Sequence, residues 1–487
     1  MRILQRSSLL TAVRLLFIGL LCLLAAAGRA QTNDLPELGD PTVAILSADE
    51  EHRLGRSWLR DLRGQTPIME DALVQEYVEN LVYRLASFSD LNEPDLAIVV
   101  INSPAINAFA VPGGVIGLNA GLFLNAASED EVASVVAHEI AHVSQRHFTR
   151  RYMDSKRRGP AVLAAMLASI ALAVAGAGDA GMAGMAATQA ASIQAQLAYS
   201  RQNEYEADRV GMQILASAGM DPTAMPRFFE RMLEQQRYAG DPPEFLLTHP
   251  LTEERVADSR ARARNLPHPD SEPTLPFQLV RARIQARYFE TTDKAREHFQ
   301  RQQEQGQGIQ AEAARYGLAL IALRDDHYEQ ARRRFQALVD GGGGYQPWYQ
   351  LGLMEVAMEQ GRYPEVIERG ERLLDVNPED YATSMLMGRA YLLSKQPGKA
   401  APLLEPLVLK RPDDPTVWSM AADAWGNGGD QARAHRARAE VMFLRGQDKA
   451  ALRQMDFALE EAGNQFALRS KLTARRDEME RLSKEEF

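Results

Sequence analysis

The chain has 487 residues, 45% of them hydrophobic, and a formal net charge of −10 at neutral pH. This length allows two or three domains with buried cores, and the acidic balance argues against nucleic acid as a partner. The one cysteine, Cys22, lies in the N-terminal segment described next. The rest of the chain therefore offers no thiolate metal ligand and no cysteine nucleophile.

The first 30 residues have the pattern of a secretory signal peptide. Three arginines within the first 14 residues precede an apolar run over residues 15–27, and the small residues Gly28 and Ala30 follow. This order predicts a signal peptide over residues 1–30, cleaved after Ala30. An uncleaved membrane anchor is the alternative, but the apolar run is short for a membrane span. A mature chain without cysteine also suits an oxidising compartment.

Residues 31–270 predict a mixed, mostly helical domain. The β-branched run over residues 95–101 indicates a buried strand, and residues 107–119 contain two extended pieces around a Pro-Gly-Gly turn, which indicates a hairpin. Ser128 followed by Glu131 forms a capping-box pattern at the start of a long helix. Apolar residues then recur at helical spacing, so we expect this helix to pack inward.

Residues 160–197 are rich in alanine, glycine and methionine, with Asp179 as the one charge. Two interpretations are open: a membrane-spanning or membrane-dipping hairpin, which would give the segment a peripheral membrane contact, or a loosely packed helical flap that covers a cleft. The glycines that interrupt the stretch favour the flap, because glycine lowers helix stability.

Residues 271–487 show a repeat of about 34 residues, which resembles tetratricopeptide repeats. One packing position recurs at spacings of 35, 34 and 34 residues, in Ala331, Val366, Ala400 and Ala434. An earlier pair, Ala295 and Phe299, suggests a degenerate repeat. Solenoids of this kind offer an extended concave face for binding. A generic helical bundle is the alternative.

The motif His138-Glu139-Ile140-Ala141-His142 carries the chemistry. Histidines four residues apart on a helix project from one face, and this H-E-x-x-H spacing binds zinc through two neutral imidazoles with a carboxylate beside the metal. The alternative is a pair of core histidines, but two histidines and a glutamate facing one interior need a counter-charge.

A third metal ligand is expected near the start of the next helix, in residues 200–208. Glu204 and Asp208 are four residues apart and share a helix face. Glu204 can bind the metal, whereas Asp208 can accept the second ring proton of a ligating histidine and fix its tautomer. Glu206 is the competing carboxylate, but it lies about 200° around the helix from Glu204.

These motifs resemble those of the HtpX-type and CAAX-prenyl-endopeptidase-type gluzincin metalloproteases. The likeness rests on H-E-I-A-H followed by S-R-x-x-E-x-E-A-D, together with residues 107–114 and Thr248-His249-Pro250. The combination of these motifs with a signal peptide and C-terminal repeats resembles one periplasmic branch of that family. The resemblance implies that Glu204 is the third ligand. It also implies that His249 occupies or approaches the fourth zinc position and holds the enzyme latent until its loop moves.

Three further residues have open roles. From the sequence alone, His249 is a turn residue before a proline or an electrophile that stabilises an oxyanion. His147 is expected to lie on the same helix as His138, about 180° around it, and is interpreted as structural. Arg255 is near His249 in sequence and is a candidate to assist the site.

The predicted fold is mostly α: an α+β zincin-type metalloprotease domain with a small sheet, followed by an α-solenoid of tetratricopeptide repeats. We expect one zinc ion per chain, held by His138, His142 and Glu204, with Glu139 as general base. An extended substrate is expected along an edge strand at Asn107, Ala108 and Phe109, by β-augmentation.

The predicted function is that of a zinc-dependent endopeptidase of the periplasm. The resemblance implies that it acts on misfolded or stalled outer-membrane proteins and that its repeats bind the β-barrel assembly machinery. The first alternative is a chaperone or adaptor in which proteolysis is minor or latent. A zinc hydrolase of small peptides is the second, and it would leave the large repeat domain without a purpose.

Overall fold

The computed structural model describes residues 47–91, 95–155, 201–239, 242–269, 273–341 and 346–484. The predicted signal peptide and the segment over residues 160–197, for which a flap and a membrane contact were the two interpretations, lie outside these residues. Among the described residues, no helix has the length and apolar character needed to cross a membrane. They are mostly helical, with one three-stranded sheet and a C-terminal array of helix pairs, which confirms the predicted fold class.

The N-terminal part places its sheet among helices. The described helices are α1 (Ala48–Gln65), α2 (Ala72–Ala86), α3 (Ala120–Asn125), α4 (Glu129–Ser144), α5 (His147–Ser155), α6 (Arg201–Ser217), α7 (Ala224–Ala239), α8 (Glu244–Thr248) and α9 (Glu253–Ala263). The strands are β1 (Ala97–Ile101), β2 (Ala108–Val111) and β3 (Val115–Asn119).

The sheet has the strand order β1-β3-β2, so β2 is an edge strand. β1 runs parallel to β3, and β2 pairs antiparallel with β3 in the predicted hairpin. The turn between β2 and β3 contains Gly113 and Gly114, both in the left-handed region with φ of 75° and 72°. Glycine adopts that region without steric cost, which explains the Pro-Gly-Gly sequence of the turn.

Helix α4 forms the centre of this part and is buried almost continuously from Val132 to His142. It packs against α2, α6, α7 and β2. The side chain of Ser128 accepts a hydrogen bond from the Glu131 N–H, as in a capping box. The Glu131 carboxylate, however, accepts from the backbone N–H of Ala127 at 2.7 Å, one residue earlier than the pattern predicts.

The prediction that His147 continues this helix is wrong. Helix α4 ends at Ser144, and Arg146 adopts a left-handed backbone conformation with φ of 49°, so the chain turns before α5 starts at His147. The Arg146 guanidinium donates to Glu51 on α1 at 2.8 Å. Thr149 donates to the same carboxylate, and these contacts hold the turn in place.

A smaller difference concerns the start of α7. The Asp221-Pro222 pair predicts a helix with proline at its first position. In the structure the Asp221 carboxylate accepts from the Thr223 N–H at 2.8 Å, and the helix begins two residues after the proline, at Ala224.

The C-terminal part consists of antiparallel helix pairs. Its described helices are α10 (Leu275–Tyr288), α11 (Thr292–Gln305), α12 (Ile309–Arg324), α13 (Tyr328–Asp340), α14 (Gln346–Glu359), α15 (Tyr363–Val376), α16 (Tyr381–Leu393), α17 (Pro397–Lys410), α18 (Pro415–Asn427), α19 (Gln431–Leu444), α20 (Asp448–Glu461) and α21 (Phe466–Leu482). The recurring residues Ala331, Val366, Ala400 and Ala434 are all fully buried, as are Ala295 and Phe299 of the earlier pair. The boundary near residue 270 stays a prediction.

The repeats pack directly against the first two helices of the N-terminal part. Arg283 on α10 forms ion pairs with Asp71, at 2.6 Å, and with Glu355 on α14. Further along the array, the Arg60 guanidinium on α1 lies 3.9 Å from the centre of the Phe443 ring on α19. A cavity of about 950 Å³ lies between α2 and β1 on one side and the repeat helices on the other.

Candidate metal centre

Four buried side chains converge in the N-terminal part: His138 and His142 from α4, Glu204 from α6, and His249, which follows α8. One nitrogen or oxygen atom from each lies within 4.8 Å of the corresponding atoms of the others. The Nε2 atoms of His138 and His142 are 3.0 Å apart, and His249 Nδ1 is 3.2 Å from Glu204 Oε1. Tetrahedral zinc, with bonds of about 2.0–2.2 Å, spaces its ligand atoms by about 3.3 Å. These donor types and separations therefore fit a zinc ion.

Close packing of α4 against α6 brings Glu204 to the histidines. Gly211 on α6 faces the backbone of α4, and a Cβ atom added there would lie 3.1 Å from the backbone nitrogen of His138. A side chain at this position would have to displace the α4 backbone by a few tenths of an ångström. Glycine therefore lets the two helices approach each other this closely.

Asp208 contacts His138, and Arg255 contacts Glu204, so each supports one side chain of the cluster. Asp208 Oδ1 lies 2.9 Å from His138 Nδ1, so it can accept that proton and leave Nε2 facing the cluster. Arg255 contacts both carboxylates, Asp208 at 2.6 Å and Glu204 at 2.7 Å. Burial alone would raise the pKa of both acids, but the guanidinium holds the pKa of Asp208 below its usual value and that of Glu204 well below it. Both groups are therefore carboxylates.

Glu139 is distinguished by burial without a hydrogen-bond partner in the described part of the chain. Its side chain is fully buried, and neither oxygen has a hydrogen-bond partner among the described residues. The imidazole of His249 lies beside it, with Nε2 3.4 Å from Glu139 Oε1. Burial raises the pKa of Glu139. Because an unsatisfied buried carboxylate is costly, this arrangement fits a site that water or substrate completes.

His249 reaches the cluster from the loop after α8. Its Nδ1 lies 3.3 Å from His138 Nε2, on the same side as Glu204. The Phe245 ring stacks on the His249 ring with centroids 4.6 Å apart, and the Phe245 N–H donates to the Ile106 carbonyl just ahead of β2. The loop therefore connects the metal cluster to the edge strand.

The predicted substrate residues Asn107, Ala108 and Phe109 lie at the start of β2. All three are buried, and β2 packs against α4. The Asn107 amide donates a hydrogen bond to Glu244 at the start of α8, the helix that His249 follows. The edge strand and helix α4 are thus neighbours, which no sequence spacing could establish.

His147, which lies outside the cluster of four side chains, has a different place from the one the sequence predicts. His147 Nδ1 lies 2.9 Å from His142 Nδ1, on the side away from the other ligands. Glu206 points away from the cluster and contacts His147. The interpretation of His147 as half a turn from the site is wrong because the helix ends at Ser144. The left-handed turn at Arg146 has no glycine or asparagine to signal it.

Known proteins match both parts of the chain. Residues 72–263, which include every residue of the cluster, match peptidase family M48, and residues 357–424 match a tetratricopeptide repeat family. The chain is 35% identical to the beta-barrel assembly-enhancing protease of Escherichia coli K12, over 93% of this chain and 92% of that protein. Its identity to the Yersinia pestis protein of that name is 31%, over 92% of both chains. The mitochondrial metalloendopeptidase OMA1 of Arabidopsis thaliana is 30% identical over 39% of this chain and 36% of its own length.

Proposed function

This chain belongs to the family of beta-barrel assembly-enhancing proteases, with a metalloendopeptidase domain of family M48 ahead of tetratricopeptide repeats, and we propose that it is a zinc-dependent endopeptidase of the periplasm that acts in quality control and assembly of outer-membrane proteins. One observation carries the proposal: His138, His142 and Glu204 converge beside the unsatisfied carboxylate of Glu139. The periplasmic location rests on the predicted signal peptide and on the names of the relatives.

The proposed chemistry assigns one task to each residue. His138, His142 and Glu204 would hold zinc, which, when bound, polarises the scissile carbonyl and acidifies water. Glu139 accepts a proton from the attacking water at one of its carboxylate oxygens and later delivers it to the leaving amine. Asp208 keeps the Nε2 lone pair of His138 turned toward the ligand cluster.

The substrate is proposed to lie along the edge of β2 that does not pair with β3. In the antiparallel pairing with β3, the Asn119 N–H donates to the Asn107 carbonyl. Alternate residues of an antiparallel strand therefore point their backbone groups away from the partner strand, and these are Ala108 and Ala110. A peptide added at this edge would bind through its backbone with little demand on its sequence, which suits misfolded proteins.

The repeats are proposed to recruit substrates or the β-barrel assembly machinery. The relatives' names support that partner class, and the cavity between the repeats and β1 gives an extended protein segment a place to bind. A second function, as an adaptor with latent proteolysis, is favoured by the presence of His249 within the ligand cluster. The protease and the adaptor would bind the same partners. They would differ in how often His249 leaves the proposed metal site.

The metal assignment is tested by zinc content and chelation. We expect the mature protein to contain about one zinc ion per chain and to cleave casein or an unfolded outer-membrane protein. Excess chelator should abolish cleavage and lower the unfolding temperature, because a ligand that binds only the folded state stabilises it. Added zinc should restore both properties. Cleavage that continues in the protein shown to be free of metal would refute the proposal.

The role of His249 is tested by His249→Ala. If His249 keeps the site closed, cleavage should rise on the order of tenfold, because the competent fraction of molecules increases. His268→Ala, in an exposed loop outside the cluster, is the control and should behave as the wild type. A loss of activity in His249→Ala would instead assign His249 to stabilisation of the oxyanion.

A further inference from the structure

A chain of polar contacts runs from His142 to the protein surface. His142 Nδ1 lies 2.9 Å from His147 Nδ1, and His147 Nε2 lies 3.2 Å from Glu206 Oε2. Arg150 Nη1 donates to the same carboxylate oxygen at 3.0 Å. His147 is fully buried, whereas the side chains of Glu206 and Arg150 are 23% and 40% exposed. The proposed catalytic mechanism does not use His147, Glu206 or Arg150.

The donor and acceptor roles along this chain follow from the metal site. His142 faces the other ligands with Nε2, which is 3.5 Å from Glu204 Oε1. If Nε2 is to bind a metal it needs its lone pair, so the ring proton resides on Nδ1 and must be donated. The acceptor at hand is Nδ1 of His147. That ring then carries its own proton on Nε2, where the Glu206 carboxylate accepts it.

We infer that His147 is a positioning residue for the metal site: it orients His142 by accepting its Nδ1 proton, and Glu206 with Arg150 fixes the tautomer that lets it do so. The inference rests on the proposed zinc site. Ligating histidines usually have a carboxylate or carbonyl in this position, and loss of that partner typically lowers metal affinity 10–100-fold. Here a neutral imidazole takes the place of the direct carboxylate.

The charge around the cluster explains why a relay is suited to this position. Glu139, Glu204 and Asp208 are already buried there, with Arg255 as the neighbouring cation. A fourth buried carboxylate directly on His142 would add a large desolvation cost. Because the His147 imidazole lies between His142 and Glu206, the negative charge is located nearer the protein surface, where solvent and Arg150 compensate it.

The turn at Arg146 makes the relay possible. On a continuous helix, residues 142 and 147 would be about 500° apart in rotation and would not face each other. The left-handed backbone conformation of Arg146 changes the direction of the chain between α4 and α5. The His147 ring therefore lies against the His142 ring, with centroids 4.9 Å apart. The contact of Arg146 with Glu51 fixes this turn to α1.

The experiment compares zinc affinity in His147→Phe and His147→Asn, measured by competition with a chelator on the full mature chain. Phenylalanine fills the space without an acceptor, so we expect zinc to bind about 10–100-fold more weakly. The asparagine oxygen takes nearly the place of Nδ1 and should keep the affinity within about threefold, since the acceptor for His142 is retained. A second readout is the visible spectrum of the cobalt-substituted protein, which should change for phenylalanine and remain for asparagine.

The unfolding temperature of the zinc-free proteins separates positioning from structure. A purely structural role would lower that temperature in His147→Phe and leave zinc affinity unchanged, and this result would overturn the inference. Equal losses of affinity in both variants would also overturn it. If His147→Phe does not fold, the decision passes to Glu206→Ala, whose unchanged zinc affinity would refute the relay. A wild-type protein that binds no zinc would refute the proposed function itself.

Discussion

Glu139→Gln is expected to lower kcat for cleavage of casein or an outer-membrane protein by about 10²–10⁴-fold, the usual contribution of a general acid–base residue. Glutamine keeps the shape of the side chain but cannot take a proton from water. Zinc content should stay near that of the wild type, because Glu139 is not among the side chains that form the ligand cluster. Folding should also persist, since a neutral amide replaces a carboxyl group whose pKa burial already raises.

Glu129→Gln is the matched control for this experiment. It makes the same chemical change on the same helix, about 15 Å further toward its N-terminus. Glu129 accepts hydrogen bonds from Tyr77 and Thr274, neither of which is in the cluster. Its variant should cleave substrate at the wild-type rate. If Glu139→Gln cut at a comparable rate with zinc bound, the assignment of Glu139 as general base would be wrong.

Local spacing was enough to predict the elements that build the site. The H-E-x-x-H helix, the strand before it and the hairpin all depend on contacts within a few residues, and α4, β1, β2 and β3 lie where the patterns place them. The i, i+4 relation put Glu204 and Asp208 on one face, and both face His138 in the structure. The 34-residue period likewise predicted the helix pairs, because each repeat buries an alanine or valine at the same position.

The remaining features depend on contacts that no local pattern encodes. His147 returns to His142 through a left-handed arginine, a conformation that residue type alone would not suggest. His249 is 45 residues from Glu204 in sequence and reaches it through a loop held to the edge strand. Only the resemblance to a family indicated its place. The docking of the repeats on α1 and α2 likewise comes from long-range ion pairs such as Arg283 with Asp71.

Arg255 is the residue whose loss should most weaken the fold around the site. Its side chain is 3% exposed and contacts Glu204, Asp208 and the carbonyl of Pro250. Arg255→Met would leave two buried carboxylates without their cation, and breaking a buried pair from one side costs about 3–5 kcal/mol. We expect the unfolding temperature of the zinc-free protein to fall by on the order of 10 °C, as measured by calorimetry or circular dichroism.

Two comparisons separate this effect from a general loss of an arginine. Arg227→Met removes a half-exposed partner of Asp221 and should cost at most about 1 kcal/mol, because surface ion pairs contribute little. Combining Arg255→Met with Asp208→Asn should recover part of the stability, since the double variant removes one of the stranded charges. Added zinc should also recover part of it by neutralising Glu204. If the double variant were as unstable as the sum of the single ones, the buried charges would not be the cause, and Arg255 would act through packing on Phe229 instead.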